Sequence, residues 1–193
     1  MAEFGLVIPI LLVLFIAIAD FGRVFNAGVT VEAATRNAAE AAANEYLANP
    51  PGPLHMAAPT GNQSYYNALH TYAASVVCAD LRSLPSTNYD PSTKTCPDMP
   101  VVLVCIHDSV DAGCATQASP GTAGIPTECT DFSPAPTSAQ LGTAQRWVEV
   151  RTCYHFTNIL QLPLFTFGDV WVQRSRNFTI PCYFVLGTDE CGV

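Results

Sequence analysis

The beginning of the chain constrains its fold more than any other stretch, because residues 4–19 form an apolar run without a single charged side chain. Glu3 precedes this run, and Asp20-Phe21-Gly22-Arg23 closes it. A helix that is apolar on all sides is buried in lipid or in a protein core. The run is slightly shorter than the ~20 residues that span a bilayer with ease. The sequence therefore predicts an N-terminal helix that needs apolar surroundings along its whole length.

Three interpretations of this helix compete. A cleaved signal peptide has a basic start and a small-residue cleavage site, whereas this chain starts with the acidic Met1-Ala2-Glu3 and continues with Asp20. A simple membrane anchor explains the length but not a carboxylate at the start of the run, where burying it is costly. A helix that leaves the membrane for the core of a filament gives Glu3 a partner, the terminal ammonium of a neighbouring subunit. We favour this third interpretation.

The residues around the apolar run carry a family resemblance. Glu3-Phe4 leads into Val7-Ile-Pro-Ile-Leu-Leu-Val-Leu-Phe15, and Asp20-Phe21-Gly22-Arg23 and the Ala-rich residues 33–43 follow. This pattern resembles the N-terminus of TadE-like pilins, the pseudopilins of tight-adherence secretion systems. The strand-like residues 148–156 and 170–176 fit the same pattern near the end of the chain. The resemblance implies that the assembly residues are Glu3, Phe4, Pro9, Asp20 and Arg23.

The resemblance also implies a function and a location. The expected role is a structural subunit that polymerises through its N-terminal helix into an extracellular filament at the cell surface, an adhesive role being compatible with it. Before assembly the helix would lie in the cytoplasmic membrane, and its partners would be sister copies and the pilus assembly machinery. The alternatives are a minor pseudopilin that primes or tips a Tad-type pilus, and a membrane-anchored extracellular binding module. The acid is the third residue here, whereas processed type IV pilin-like proteins carry it at the fifth mature position.

Composition and motifs argue against other classes of function. The net charge is −8 and Lys94 is the only lysine, which disfavours nucleic acid as a partner because phosphates require a basic surface. The sequence has no P-loop, no dinucleotide-binding glycine pattern, no His-Glu-x-x-His and no Gly-x-Ser-x-Gly. We therefore predict a protein that is not an enzyme and that uses no cofactor.

The eight cysteines are scattered singly, which is typical of disulfides formed outside the cytosol. No histidine lies at ligand spacing from a cysteine pair, so we predict no zinc or other metal site. The candidate disulfide residues are Cys78, Cys96, Cys105, Cys114, Cys129, Cys153, Cys182 and Cys191. A Cys78–Cys96 bridge would close the loop between them, and we expect a Cys114–Cys129 bridge in the insertion. Cys182 and Cys191 are candidate partners of Cys153, but eight cysteines allow 105 pairings and the sequence does not choose among them.

Two asparagines lie in glycosylation sequons, which are meaningful outside the cytoplasm. They are Asn62 in a loop and Asn177 in a predicted strand. Because Asn177 is embedded in a strand, Asn62 is the better candidate for a glycan.

The chain divides into an N-terminal helix, residues 1–49, and an extracellular head, residues 50–193. The helix is interrupted by Pro9, which should kink or loosen it, and it ends before the Pro-rich residues 49–53. A second helix from Ser64 to about Leu81 should cover a sheet.

Three strands are predicted in the head, at Val101–Ile106, Arg146–Phe156 and about Val170–Pro181. The second strand alternates, so that one face carries Val148, Val150, Thr152, Tyr154 and Phe156 and the other carries Trp147, Glu149, Arg151, Cys153 and His155. Residues 108–138 read as a long surface loop insertion. Arg174 and Arg176 share one strand face, and we expect them to oppose Glu149 across the ladder. The predicted fold class is α+β, with a long pilin-like N-terminal helix and a disulfide-stapled head built from a small antiparallel sheet and a covering helix.

Overall fold

The computed structural model describes residues 2–48, 63–107, 112–116, 125–129, 146–157 and 170–180, with side chains from Val7 onward in the first range. The described residues form two helices, four strands and one 3-10 turn. In chain order these are α1 Ala2–Ala48, α2 Gln63–Leu81, β1 Val101–His107, β2 Ala112–Thr116, the 3-10 turn Thr127–Cys129, β3 Arg146–Phe156 and β4 Val170–Ile180.

Helix α1 has 47 residues and includes Pro9 within its length. At 1.5 Å per residue it is about 70 Å long. Its two halves have different surroundings. The large apolar side chains from Val7 to Phe15 are exposed, whereas one face from Ala27 onward is buried. Most residues of the buried face are small. Its members include Ala27, Val31, Ala34, Ala38, Ala42 and the larger Tyr46.

The four strands form one antiparallel sheet in the order β2-β1-β3-β4. Helix α1 packs on β3 and β4, and α2 packs on β1 and β2, so both helices contribute to one core. Strand β3 alternates as the sequence predicts, with Val148, Val150 and Tyr154 in that core and Trp147 and Glu149 on the opposite face. The predicted α+β fold, with a long helix, a covering helix and an antiparallel sheet, is confirmed.

Strand β2 corrects the prediction of a continuous loop over residues 108–138. Ala112–Thr116 pairs with β1, from His107 opposite Ala112 to Leu103 opposite Thr116. The sequence Ala-Gly-Cys-Ala-Thr has little intrinsic preference for a strand, so its conformation depends on its neighbour in the sheet. The other residues of the predicted insertion lie outside the described residues, except Ile125–Cys129.

The disulfides are partly those expected. Cys78 and Cys96 are bonded, as the sequence suggests, and this bridge closes a loop of sequence separation 18. The expected Cys114–Cys129 bridge is wrong, because Cys114 bonds to Cys105 directly opposite it on β1. Cys153 bonds to Cys129 rather than to Cys182 or Cys191, which lie outside the described residues.

The sheet register determines one of these pairings, Cys105–Cys114, whereas Cys129–Cys153 joins the 3-10 turn to β3. Cys105 and Cys114 are cross-strand partners with their Cα atoms 4.1 Å apart, within reach of one disulfide. Cys129 and Met99 pack with Cys153 in a small second cluster, on the sheet face opposite the helices. Spacing along the chain does not reveal either proximity.

Candidate functional site

The exposed half of α1 is the most unusual surface of the described structure. Its large apolar side chains between Val7 and Phe15 are 47% to 67% exposed, whereas apolar side chains of this size are normally buried. Within the described residues, one helix is long and apolar enough to cross a membrane. Its most apolar window has a mean hydropathy of 2.3 and is not buried by the rest of the chain. Among the described residues, nothing covers the exposed half of α1.

The structure places four of the predicted assembly residues on either side of this exposed half and the fifth, Pro9, within it. The backbones of Glu3 and Phe4 lie in the first turns of α1, and their side chains are outside the described set. Pro9 lies in the exposed part, and Asp20 and Arg23 lie where the helix reaches the head. One helix turn brings Asp20 and Arg23 together, about 25 Å along the axis from Glu3.

Arg23 connects the helix to the sheet. Its Nη1 donates to Oδ1 of Asp20 at 3.3 Å, and its guanidinium lies 5.3 Å from the ring centre of Phe156. Phe156 is the last residue of β3 and is buried in the main core. Such a cation–π contact stabilises by about 0.5–1 kcal/mol when it is partly exposed. The predicted alternation puts Phe156 on one strand face with Val148 and Val150, but nothing in the sequence indicated Arg23 as its neighbour.

An open groove runs between α1 and β4, and it begins where the apolar half of the helix ends. It has a volume of about 470 Å³ and is lined by Phe21, Phe25 and Val29 of α1 and by Trp171 and Val172 of β4. Phe21 is 73% exposed, Phe25 66% and Val29 54%. The apolar exposed surface of α1 therefore does not stop at Asp20 but continues beside the head.

The end of this groove that lies farther from the N-terminus of α1 is charged. Glu32 of α1 forms ion pairs with two arginines of β4. Nε of Arg174 lies 3.3 Å from Oε2 of Glu32, and Nη2 of Arg176 contacts Oε1. The prediction that these arginines oppose Glu149 is wrong. In the observed register Arg176 lies opposite Val150 and Arg174 opposite Thr152, so both arginines are on the α1 side of the sheet. Glu149 belongs to the other side, because side chains alternate along a strand.

Glu149 is instead the centre of a buried polar cluster across three strands. His107 of β1 donates from Nε2 to Oε2 at 2.8 Å, while Arg151 of β3 and Ser175 of β4 donate to Oε1, the latter at 3.0 Å. Trp147 stacks on His107 with ring centres 5.2 Å apart.

Burial raises the pKa of Glu149, but hydrogen bonds from His107 and Arg151 and the charge of Arg151 outweigh it and lower the pKa to about 2. A carboxylate with so low a pKa is a poor general base near neutral pH. Both of its oxygens already accept hydrogen bonds, so the cluster ties β1, β3 and β4 together.

Two further predictions concern metals and glycans. The described ranges contain no group of three or more His, Cys, Asp or Glu residues placed to hold a metal ion. Asn177 is exposed on β4, at the edge of the described sheet, so being in a strand does not bury it. Asn62 lies outside the described residues.

The comparison with protein families assigns the exposed helix. Residues 1–40 match the family model described as TadE-like protein. The N-terminal segment of this chain is similar to TadE-like proteins. No curated protein and no solved structure matches the chain. The resemblance seen in the sequence is thus confirmed over these 40 residues.

The TadE-like segment includes both parts of the surface described above. It covers the exposed apolar half of α1, the Asp20–Arg23 pair and the helix side of the groove as far as Glu40. Strand β4, which forms the other side of the groove, lies outside the matched residues. A TadE-like segment on an exposed apolar helix fits a pilin-like protein associated with a Tad pilus.

Proposed function

We propose that this chain is a structural subunit that polymerises through the exposed half of α1 into an extracellular filament. The observation that supports the proposal is a TadE-like helix whose large apolar side chains from Val7 to Phe15 are exposed among the described residues. Burying each large apolar side chain is worth about 1.5–3 kcal/mol. The helix therefore leaves lipid only for surroundings that are equally apolar, and the same helices of sister copies provide them.

In this proposal Glu3 sets the register between subunits. A carboxylate that stays unpaired in an apolar bundle costs several kcal/mol, whereas one paired with the terminal ammonium of a neighbour is compensated. Phe4 and Pro9 belong to the same bundled segment. Asp20 and Arg23 lie at the C-terminal end of the bundled segment. There Arg23 contacts Phe156 and so joins the segment to the head.

The proposal also gives the chain a location at each stage. Before assembly the exposed half of α1 lies in the cytoplasmic membrane, from which the pilus assembly machinery extracts it. After assembly the head, with its disulfides, faces the outside of the filament at the cell surface. A structural role of this kind requires no catalytic residue.

Replacing Glu3 by Ala tests the proposal. Glu3→Ala should reduce the number of filaments seen by electron microscopy, because the register contact is lost, while the thermal unfolding of the head is unchanged. Asp98→Ala removes an exposed acid of the head, in the loop before β1, and should leave filaments normal. Normal filaments from Glu3→Ala, at normal protein levels, would contradict the proposal.

A minor pseudopilin is the second candidate function, because the N-terminal pattern of the sequence resembles the pseudopilins of tight-adherence systems. Both functions use the same helix, but they differ in how many copies a fibre contains. Antibody-gold labelling of the head distinguishes them. Label along the whole fibre indicates the main subunit, whereas label confined to one end indicates a subunit that primes or tips the pilus.

A further inference from the structure

The groove between α1 and β4 lies at the level where α1 would leave a bilayer. The charge-free run begins at Phe4. Counted from there, a hydrocarbon core of ~30 Å takes about 20 residues of helix and ends near Val24. The headgroup layer adds about 5–7 Å, or roughly four residues, and reaches about Gly28. Phe21 and Phe25, which line the groove, therefore lie close to the boundary between acyl chains and headgroups.

The two charges of α1 at this boundary are shielded. Asp20 and Arg23 pair with each other, and their side chains are only 15% and 33% exposed. Arg23 also faces the ring of Phe156. Charged side chains are tolerated at membrane depth when they pair with one another and face protein. The pair is thus compatible with a helix that enters the bilayer as far as Val24.

The groove changes from apolar to charged in the direction away from the bilayer. Its apolar part is formed by Phe21 and Phe25 of α1 and by Trp171 and Val172 of β4, and tryptophan is enriched at membrane interfaces. Its charged part carries three arginines and two glutamates, an excess of one positive charge in a chain of net charge −8. These residues are Arg36, Arg174, Arg176, Glu32 and Glu40. A phospholipid at the edge of a bilayer has the same order, with acyl chains first and a charged phosphate beyond them.

Arg174 is placed to bind a phosphate at this level. Its Nη1 donates to the carbonyl of Gln173 at 2.8 Å and its Nε pairs with Glu32, whereas its Nη2 has no acceptor among the described residues. That Nη2 lies 3.7 Å from the position that a Cβ of Gly28 would occupy, and no other described atom comes within 4 Å of this position. Glycine weakens a helix relative to alanine, but here it leaves open space beside a half-exposed guanidinium.

We propose that the groove binds one anionic phospholipid of the leaflet from which the head emerges, with an acyl chain along Phe21 and Phe25 and its phosphate at Arg174 and Arg176. The inference rests on one part of the proposed function, the membrane-inserted stage before assembly, and adds a lipid ligand for that stage. Guanidinium groups bind phosphate through paired hydrogen bonds. Glu32 contacts both guanidiniums, but one carboxylate neutralises only one of them. An anionic lipid supplies the missing negative charge, which a zwitterionic lipid does not.

Native mass spectrometry of the full chain tests this inference. The chain is released from detergent micelles that contain equal amounts of anionic phosphatidylglycerol and zwitterionic phosphatidylcholine, and the lipids that stay bound are counted. An arginine at an anionic membrane surface strengthens binding about fivefold. With one unneutralised arginine, we expect one phosphatidylglycerol per chain, retained about fivefold more often than phosphatidylcholine. Arg174→Gln combined with Arg176→Gln should remove this preference.

Two matched controls separate lipid binding from effects on folding. Arg82→Gln removes an exposed arginine directly after α2 and should keep the preference. Gly28→Leu fills the space beside Arg174 and should reduce the retained phosphatidylglycerol severalfold. Gly22→Leu makes the same exchange in the same helix, at a position where an added Cβ meets no described atom within 4 Å, and should retain the lipid as the wild type does.

Three results would overturn the inference. They are equal retention of the two lipids by the wild type, an equal loss of preference in the groove variants and their controls, and a second copy of the chain in place of the lipid at every lipid concentration. Electron microscopy scores filaments separately. Filaments from a chain without lipid preference refute the inference alone. A clear preference in a chain whose Glu3→Ala variant forms normal filaments supports the inference and contradicts the proposed polymerisation.

Discussion

At the scale of single residues, Glu149 shows how this head accommodates a buried charge. Three strands each contribute a donor to its carboxylate, so removing any one donor leaves a buried charge with fewer hydrogen bonds. Unpaired buried charges are strongly destabilising. The cluster therefore depends on the correct alignment of β1, β3 and β4, and it links the charge state of one residue to the stability of the sheet.

This linkage predicts a specific dependence of stability on pH. The pKa of Glu149 is lowered in the folded state from 4.5 to about 2, so the unfolded chain binds the proton more readily. The stability that Glu149 contributes is therefore complete above pH 4.5 and is lost as the pH falls towards 2. The loss should be on the order of 3 kcal/mol.

Urea denaturation between pH 2 and 7 measures this effect. Glu149→Gln should be less stable than the wild type at pH 7 and should lose less stability between pH 4.5 and 2. Asp98→Asn changes an exposed acid and should keep the wild-type pH dependence. An unchanged pH dependence in Glu149→Gln would show that another group is responsible.

At the scale of elements, α1 serves two environments with two kinds of residue. Its exposed half carries large apolar side chains, and its packed half carries alanines on the face that meets α2, β3 and β4. Small side chains let helix and sheet backbones approach closely, and close-packed interiors tolerate little extra volume. The packed half of α1 should thus be sensitive to enlargement on its buried face only.

Two alanines, Ala38 and Ala33, allow a matched test of this sensitivity. Ala38 is fully buried, whereas Ala33 is exposed on the same helix. Ala38→Leu should lower the free energy of unfolding by about 1–3 kcal/mol because the added carbons do not fit. Ala33→Leu should change it by less than about 0.5 kcal/mol. Chemical denaturation of the monomer in detergent provides the measurement, and equal effects of the two substitutions would refute the packing described for this face.

At the scale of the whole molecule, the disulfides connect segments that lie far apart in the chain. The Cys129–Cys153 bridge spans a sequence separation of 24 and ties the 3-10 turn to β3, while Cys105–Cys114 spans 9 between strands that are already paired. A disulfide stabilises mainly by restricting the unfolded chain, and more so for longer loops. The two bridges should therefore differ in their contribution.

Paired alanine substitutions compare the two bridges. Cys129→Ala with Cys153→Ala should destabilise the head by about 3 kcal/mol, and Cys105→Ala with Cys114→Ala should cost less. The midpoints of thermal unfolding give the order. A larger loss for the Cys105–Cys114 pair would mean that this bridge, and not the register of β1 and β2, holds the edge strand in place.

The sequence alone determined the features that depend on local patterns. The charge-free run predicted the exposed apolar helix, and strict alternation from Arg146 to Phe156 predicted both the extent of β3 and its two faces. Helical periodicity located α2, and the resemblance around Glu3 and Asp20 indicated the TadE-like segment. Each of these features repeats along neighbouring residues, so it can be read without knowing which segments meet in space.

Tertiary structure alone decided the pairings between distant segments. Strand β2 exists because β1 lies beside it, and the same register joins Cys105 to Cys114. Arg174 and Arg176 bind Glu32 rather than Glu149 because the register turns them towards α1. A shift of one residue in the pairing of two strands would turn every side chain of the shifted strand to the other face of the sheet. The local sequence does not specify that register.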